Sequence, residues 1–318
     1  MIFNSNQTII ERDLSEAIKG VAILLIVFAH NTILCPANSW GYGYLYTFHL
    51  AIFMILPFFY DKSYEVNKKV VKRIILRNYI PYCWIFIICC ILAYLANGMI
   101  NSPDIYVYGF LNLFGEGCKD ACGFVFPWFL PAFCMLSLLR IFSSKYTLLS
   151  VLFLSVGIVC CVDYCQFTWN VLFKYFSPFY VVHACYYITL GSICKLTFDR
   201  IPYWMQISCV SFVLLSILAY FDIVSAPKIP YLFSISGFSL VYALCHFLKR
   251  NKIIRYIGRN SLYIYIFHVI ILNILLMVIP HFYMYGWVIY FVTLGICLII
   301  SSIINRNKFV NKLLFYKQ

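Results

Sequence analysis

Ten stretches of roughly twenty residues contain no Asp, Glu, Lys or Arg, and about twenty apolar residues are what a helix needs to cross a hydrocarbon core. They lie at Gly20–Ala37, Tyr42–Tyr60, Asn78–Ala96, Phe124–Leu139, Tyr146–Val162, Tyr175–Cys194, Ile201–Phe221, Ile229–Leu248, Asn260–Ile279 and Phe282–Asn305. Such a pattern leaves little choice of fold. A helix satisfies all its backbone hydrogen bonds internally, which lipid demands and an open sheet cannot do. The chain of 318 residues is 64% hydrophobic and 11% charged, where a soluble domain carries about 25% charge. The expectation is an all-α, polytopic membrane protein with about ten transmembrane helices.

Basic residues set the orientation. With the N-terminus inside, 21 of the 24 Lys and Arg fall in inner segments and only Lys119, Lys174 and Lys228 fall outside. The acids divide evenly, six and five, so the bias belongs to Lys and Arg. Both termini are therefore expected in the cytoplasm. The net charge of +13 is the signature of this orientation. Nucleic acid is not an expected partner, since it would require a soluble basic face. No cleavable leader is expected, because Glu11, Asp13 and Glu16 precede the first apolar run and no small-x-small site follows it.

No repeat or Pro/Gly/Ser linker divides the chain, so residues 1–318 read as one membrane domain that holds the whole function. The fifteen cysteines sit mostly within the apolar stretches, where a thiol behaves as a small hydrophobe. Cys118 and Cys122 share the long outer segment from Asn97 to about Gly123, and their pairing is left open.

An ionisable side chain deep in an apolar span marks a functional site by default. His30 lies eleven residues beyond Lys19, roughly 16 Å along a helix and about three full turns on, so the two share a face. Counting inward from the inner edges of other spans places His49, His183 and His268 at similar depths, roughly 13 to 18 Å. Any one of them alone is more often an interhelical hydrogen-bonding residue than a catalyst. Together they suggest a polar cavity. No metal is expected, because the histidines are dispersed over separate segments without His-x-x-x-His or Cys-x-x-Cys spacing. Nor is there a Gly-x-Ser-x-Gly elbow or a glycine-rich phosphate loop. The inner segment 61–77 holds Lys68, Lys69, Lys72, Arg73 and Arg77 ahead of Pro81. It reads either as positive-inside anchoring with anionic lipid or as phosphate capture, Arg73 and Arg77 being four apart on one helix face.

Five short motifs in order resemble the acyltransferase-3 family of membrane O-acyltransferases. Glu16-Ala17-Ile18-Lys19-Gly20, followed by His30, stands where that family has Asp-x-x-Arg/Lys-Gly and a histidine; Glu16 is a departure. Phe48-His49-Leu50-Ala51-Ile52-Phe53 resembles its Phe-His-Met-Pro-Leu-Phe, with Leu56-Pro57 in place of the Ser-Gly that follows. The basic run from Arg73 to Pro81-Tyr82 is similar to its approach to Pro-Tyr, and Trp128-Phe129-Leu130-Pro131 to its Trp-Phe-Leu block. Gly258-Arg259-Asn260-Ser261-Leu262-Tyr263-Ile264-Tyr265, then His268, is similar to its Gly-x-x-Ser-Leu-x-Ile-Tyr-x-x-His signature.

The resemblance implies a compact member without a soluble esterase-like extension, of the kind that O-acetylates or O-succinylates surface polysaccharide. It implies an enzyme of the bacterial inner membrane with acyl-CoA, first of all acetyl-CoA, as donor and no bound cofactor. The acceptor would be a sugar hydroxyl of a surface or lipid-linked glycan. His30 is then the general base, since a hydroxyl is a poor nucleophile until a base takes its proton. Lys19 and Glu16 complete the catalytic group. Arg73 and Arg77, with Lys19, would bind the CoA phosphates. His49, Trp128, Ser261 and His268 would contact substrate, His49 and His268 by orienting it or stabilising an oxyanion. The rival reading is a transporter or exporter of polysaccharide or lipid-linked sugar, for which many spans and buried polar groups are equally natural.

Overall fold

Leu-, Ile-, Phe- and Ala-rich runs with few glycines form helices, and the structure, a computed structural model, describes residues 10–37, 39–60, 67–97, 126–143, 179–226, 229–278 and 285–316. Among these residues there is no strand. The helices are α1 (Arg12–His30), α2 (Trp40–Tyr46), α3 (His49–Ile55), α4 (Lys68–Asn97), α5 (Phe129–Ser143), α6 (Phe179–Arg200), α7 (Trp204–Tyr220), α8 (Pro230–Leu248), α9 (Lys252–Arg259), α10 (Ser261–Val278), α11 (Gly286–Arg306) and α12 (Lys308–Phe315).

Among the described residues four segments are long and apolar enough to cross a membrane: the combined α2–α3 segment Trp40–Phe59, α4, α8 and α11. The pair α9 and α10, bent by 77°, makes a fifth if taken as one span. Helices α5 and α7 are apolar but shorter. The expected span Tyr146–Val162 and the outer segment with Cys118 and Cys122 lie outside the described residues.

Local chemistry moves three of the expected boundaries. The uncharged run Gly20–Ala37 is not one helix, because α1 stops at His30, where Asn31 turns extended and its side-chain oxygen accepts the N–H groups of Ile33 and Leu34. An Asn side chain that bonds backbone two residues on is a turn former. The stretch Tyr42–Tyr60 is broken at Thr47–Phe48 and ends in a 3₁₀ turn at Leu56–Phe59 that carries Pro57. The basic segment ahead of Pro81 is helical from Lys68, with the Asn67 side chain accepting from Val70 N–H at 2.9 Å. Lys and Arg are good helix formers, and Pro81 is accommodated inside α4.

The chain divides into two compact units, one of residues 1–61 with 190–303 and the other of 62–189 with 304–318. In the first, α1 is the central helix, packed on α3, α8, α9 and α10, while α7 lies on α8. Its contact with α9 is close enough to require glycine on both sides. A Cβ on Gly258 would sit 1.8 Å from the Glu16 carbonyl oxygen, and one on Gly20 would sit 2.3 Å from that of Ile254. Small residues let helix backbones approach in this way. The two glycines of the first and last family motifs thus meet in one crossing. In the second unit α4 packs on α5 and on α12. Lys68, Lys69, Lys72, Arg73 and Arg77 are exposed on α4.

Candidate active site

Helix α1 carries a different polar chemistry at each end. At its start Glu16, buried, accepts from Arg12 Nε at 3.0 Å and Arg255 Nε at 3.2 Å, with Arg259 Nε at 3.9 Å. Arg255 also pairs with Asp13, and Lys249 with Glu11 at 2.9 Å. The Lys249 ammonium holds the exposed Glu11 carboxyl below its usual range. Lys19, one turn on, lies over the Tyr60 ring at 5.4 Å, and the Tyr60 hydroxyl is 2.8 Å from Ser15 Oγ. Glu16 is committed to guanidinium partners fourteen residues from His30, roughly 21 Å along the helix. The structure does not bring Glu16 and His30 together.

His30 is the last residue of α1 and is half-buried. Its Nδ1 is 2.9 Å from the Ile26 carbonyl oxygen. A carbonyl only accepts, so Nδ1 carries the hydrogen, and the neutral ring keeps its lone pair on Nε2. That nitrogen is 3.3 Å from the Tyr46 hydroxyl, which therefore donates. The helix end is pinned from α11, where Asn31 Nδ2 donates to Gly286 O at 3.0 Å and the Tyr290 hydroxyl to Leu24 O at 3.2 Å. A Cβ on Gly286 would come within 2.8 Å of the Leu34 side chain, so a larger residue there would oblige that side chain to shift.

His49 enters through the break in the second span. It is the first residue of α3, fully buried, and its Nδ1 donates to Leu45 O at 2.6 Å. The break is tied down by α8, whose Ser234 Oγ donates to Thr47 O at 2.6 Å. Gly237 gives Phe48 its place there, since a Cβ would come within 2.9 Å of that side chain. By the same argument as for His30, the lone pair of His49 is on Nε2. That atom is buried and has no hydrogen-bond partner among the described residues.

His268, seven residues into α10, is also fully buried, with Nδ1 at 2.7 Å from Tyr265 O and 3.0 Å from Ile264 O. Its ring stands edge-on to that of His30, centroids 4.9 Å apart. Tyr46 lies between the other two, its ring 5.8 Å from that of His30 and 4.6 Å from that of His49. Three of the four histidines expected at matching depth thus join in one run of ring contacts, His268 on His30, His30 on Tyr46 and Tyr46 on His49. The side chain of the fourth, His183, lies outside the described residues. Among the described residues no three His, Cys, Asp or Glu groups are arranged to hold a metal ion.

Ser261 opens α10, about 10 Å along that helix from His268. In the second unit Arg73 and Arg77 share the exposed face of α4, and Trp128 sits in the 3₁₀ turn ahead of α5, its ring 6.4 Å from that of Phe129.

Sequence reasoning passed over Tyr46, Asn31 and Arg255. Tyr42 and Tyr46 are four apart, and their rings are 4.1 Å apart on α2, but nothing local marks which of many tyrosines faces a histidine.

No curated protein and no solved structure matches the chain significantly. The acyltransferase domain that defines the acyltransferase-3 family does match, over residues 15–306, from the first turn of α1 to the end of α11. The chain belongs to the acyltransferase-3 family, and it is a membrane acyltransferase.

Proposed function

We propose that this protein is a bacterial inner-membrane O-acyltransferase, with ten spans and both termini cytoplasmic, that moves an acyl group from acyl-CoA to a sugar hydroxyl of a surface or lipid-linked glycan. Acetyl is the first candidate for the acyl group. The observation that carries the reading is the held ring of His30: Nδ1–H is spent on Ile26 O, and Nε2 offers a lone pair on a half-buried residue. A general base must lie within hydrogen-bond reach of a hydroxyl proton, and Nε2 already meets one, that of Tyr46.

In this mechanism the acceptor hydroxyl gives its proton to His30 Nε2 as its oxygen attacks the thioester carbon. The carbon–sulfur bond breaks, and the departing CoA thiolate takes the proton back from the imidazolium. Arg73 and Arg77 offer the paired guanidinium forks suited to phosphate. Lys19 is a further cation for the donor, while Trp128, Ser261 and His268 are proposed substrate contacts. Glu16 acts at a distance, by fixing the start of the helix that ends in His30.

The test compares surface polysaccharide by NMR from a deletion strain complemented with wild type or His30→Gln at equal membrane expression. O-acyl signals that appear with wild type only, on an unchanged amount of polymer, support acyl transfer. Loss of the polymer itself in the deletion, fully restored by His30→Gln, would establish export instead.

A further inference from the structure

The lone pair that the base needs is already occupied. His30 has one acceptor nitrogen, Nε2, and the Tyr46 hydroxyl donates to it at 3.3 Å. An acceptor hydroxyl must bind the same lone pair before it can be deprotonated, so the phenol has to leave. A hydroxyl stripped of its partner in an apolar setting is costly unless it finds another acceptor. One lies beside it. His49, wholly buried and 4.6 Å from Tyr46 ring to ring, has its Nδ1 tied to Leu45 O, and its Nε2 has no hydrogen-bond partner among the described residues. Tyr46 is also the last residue of α2, next to the Thr47–Phe48 break, where no continuous helix resists a change of torsion.

Resting on the reading of His30 as base, we propose that Tyr46 is a two-position hydroxyl: it caps the His30 lone pair at rest and passes to His49 Nε2 when an acceptor hydroxyl takes its place. His49 is then a positioning residue that acts through Tyr46 and never touches substrate. The arrangement keeps the base covered until a hydroxyl arrives, which disfavours transfer of the acyl group to stray water.

Two His49 variants separate the ring nitrogens. Asn reproduces the donor near Nδ1 and deletes Nε2; Gln keeps a polar atom near Nε2. The activity-independent readout is the rate at which diethylpyrocarbonate modifies His30 in the full-length protein in nanodiscs, followed by mass spectrometry, since the reagent attacks a neutral, uncapped imidazole. Tyr46→Phe is expected to speed His30 modification on the order of tenfold, the worth of about one hydrogen bond, and His49→Asn to slow it severalfold, with His49→Gln close to wild type. In the Tyr46→Phe background His49→Asn loses its effect. The same order is expected for O-acyl content in the complemented deletion strain, where His49→Asn lowers transfer and adding Tyr46→Phe removes that loss. Equal His30 modification in wild type, Tyr46→Phe and His49→Asn overturns the switch, as does a His49→Asn defect that persists without the Tyr46 hydroxyl. If wild type itself restores no O-acyl groups, the acyltransfer reading fails, while the modification rates still decide whether Tyr46 moves.

Discussion

The two ends of α1 handle buried polar groups in opposite ways. At the Arg12 end Glu16 and Asp13 are matched by Arg12, Arg255 and Arg259, so the charges are spent on holding α1 against α9. At the His30 end the ring nitrogens that face backbone are satisfied by it, Nε2 of His30 meets only the Tyr46 hydroxyl, and Nε2 of His49 has no hydrogen-bond partner among the described residues. A saturated network fixes geometry; an unsaturated one keeps capacity to bind. The difference is the physical distinction between a clasp and a site, built into a single nineteen-residue helix.

Predictions that test this contrast fall in order of size. His30→Gln, which retains a polar side chain but cannot carry the proton, should reduce acyl transfer by about 10²–10⁴-fold while membrane levels hold, measured as O-acyl content per polymer. At the other end Gly258→Ala should cost about 3 kcal/mol or more, because the new Cβ meets a backbone oxygen at 1.8 Å and the helices must part; the loss of melting temperature in detergent reads it. Arg255→Met should cost about 2 kcal/mol in the same assay, since it strips Glu16 and Asp13 of a shared partner that is itself only 26% exposed. A His30 variant that melted as early as Gly258→Ala would erase the distinction.

The smallest effect is a dependence on pH. Lys249 lowers the pKa of Glu11 in the folded protein, so this pair adds stability above the ordinary carboxylate value of about 4.5 and loses it as pH falls through the lowered value. The melting temperatures of wild type and Glu11→Gln should therefore differ slightly at neutral pH and converge on acidification. A gap that widened in acid would reverse the sign of the pairing.

Much of the membrane character is legible in the sequence. Charge-free stretches of spanning length identify helices, and counting 1.5 Å per residue set His30, His49 and His268 at a common depth. The ordered motifs pointed to the family that the match over residues 15–306 establishes. Helix ends were less legible: the run to Ala37 hides the Asn31 turn, and the run from Tyr42 hides the break ahead of His49, because both depend on polar side chains that count as uncharged.

Sequence alone determined what the chain must be in bulk, a helical membrane protein, because rise per residue and hydropathy act locally, and the order of its motifs carried the resemblance to the acyltransferase-3 family. Tertiary structure alone decided which side chains meet. Gly20 and Gly258 are separated by most of the chain, yet each is required by the same crossing of α1 and α9. Tyr46 faces His30 and His49 only because the second span breaks where α8 pins it through Ser234. Depth along a helix follows from counting; the direction a side chain faces, and the partner it finds there, follow from how distant segments pack.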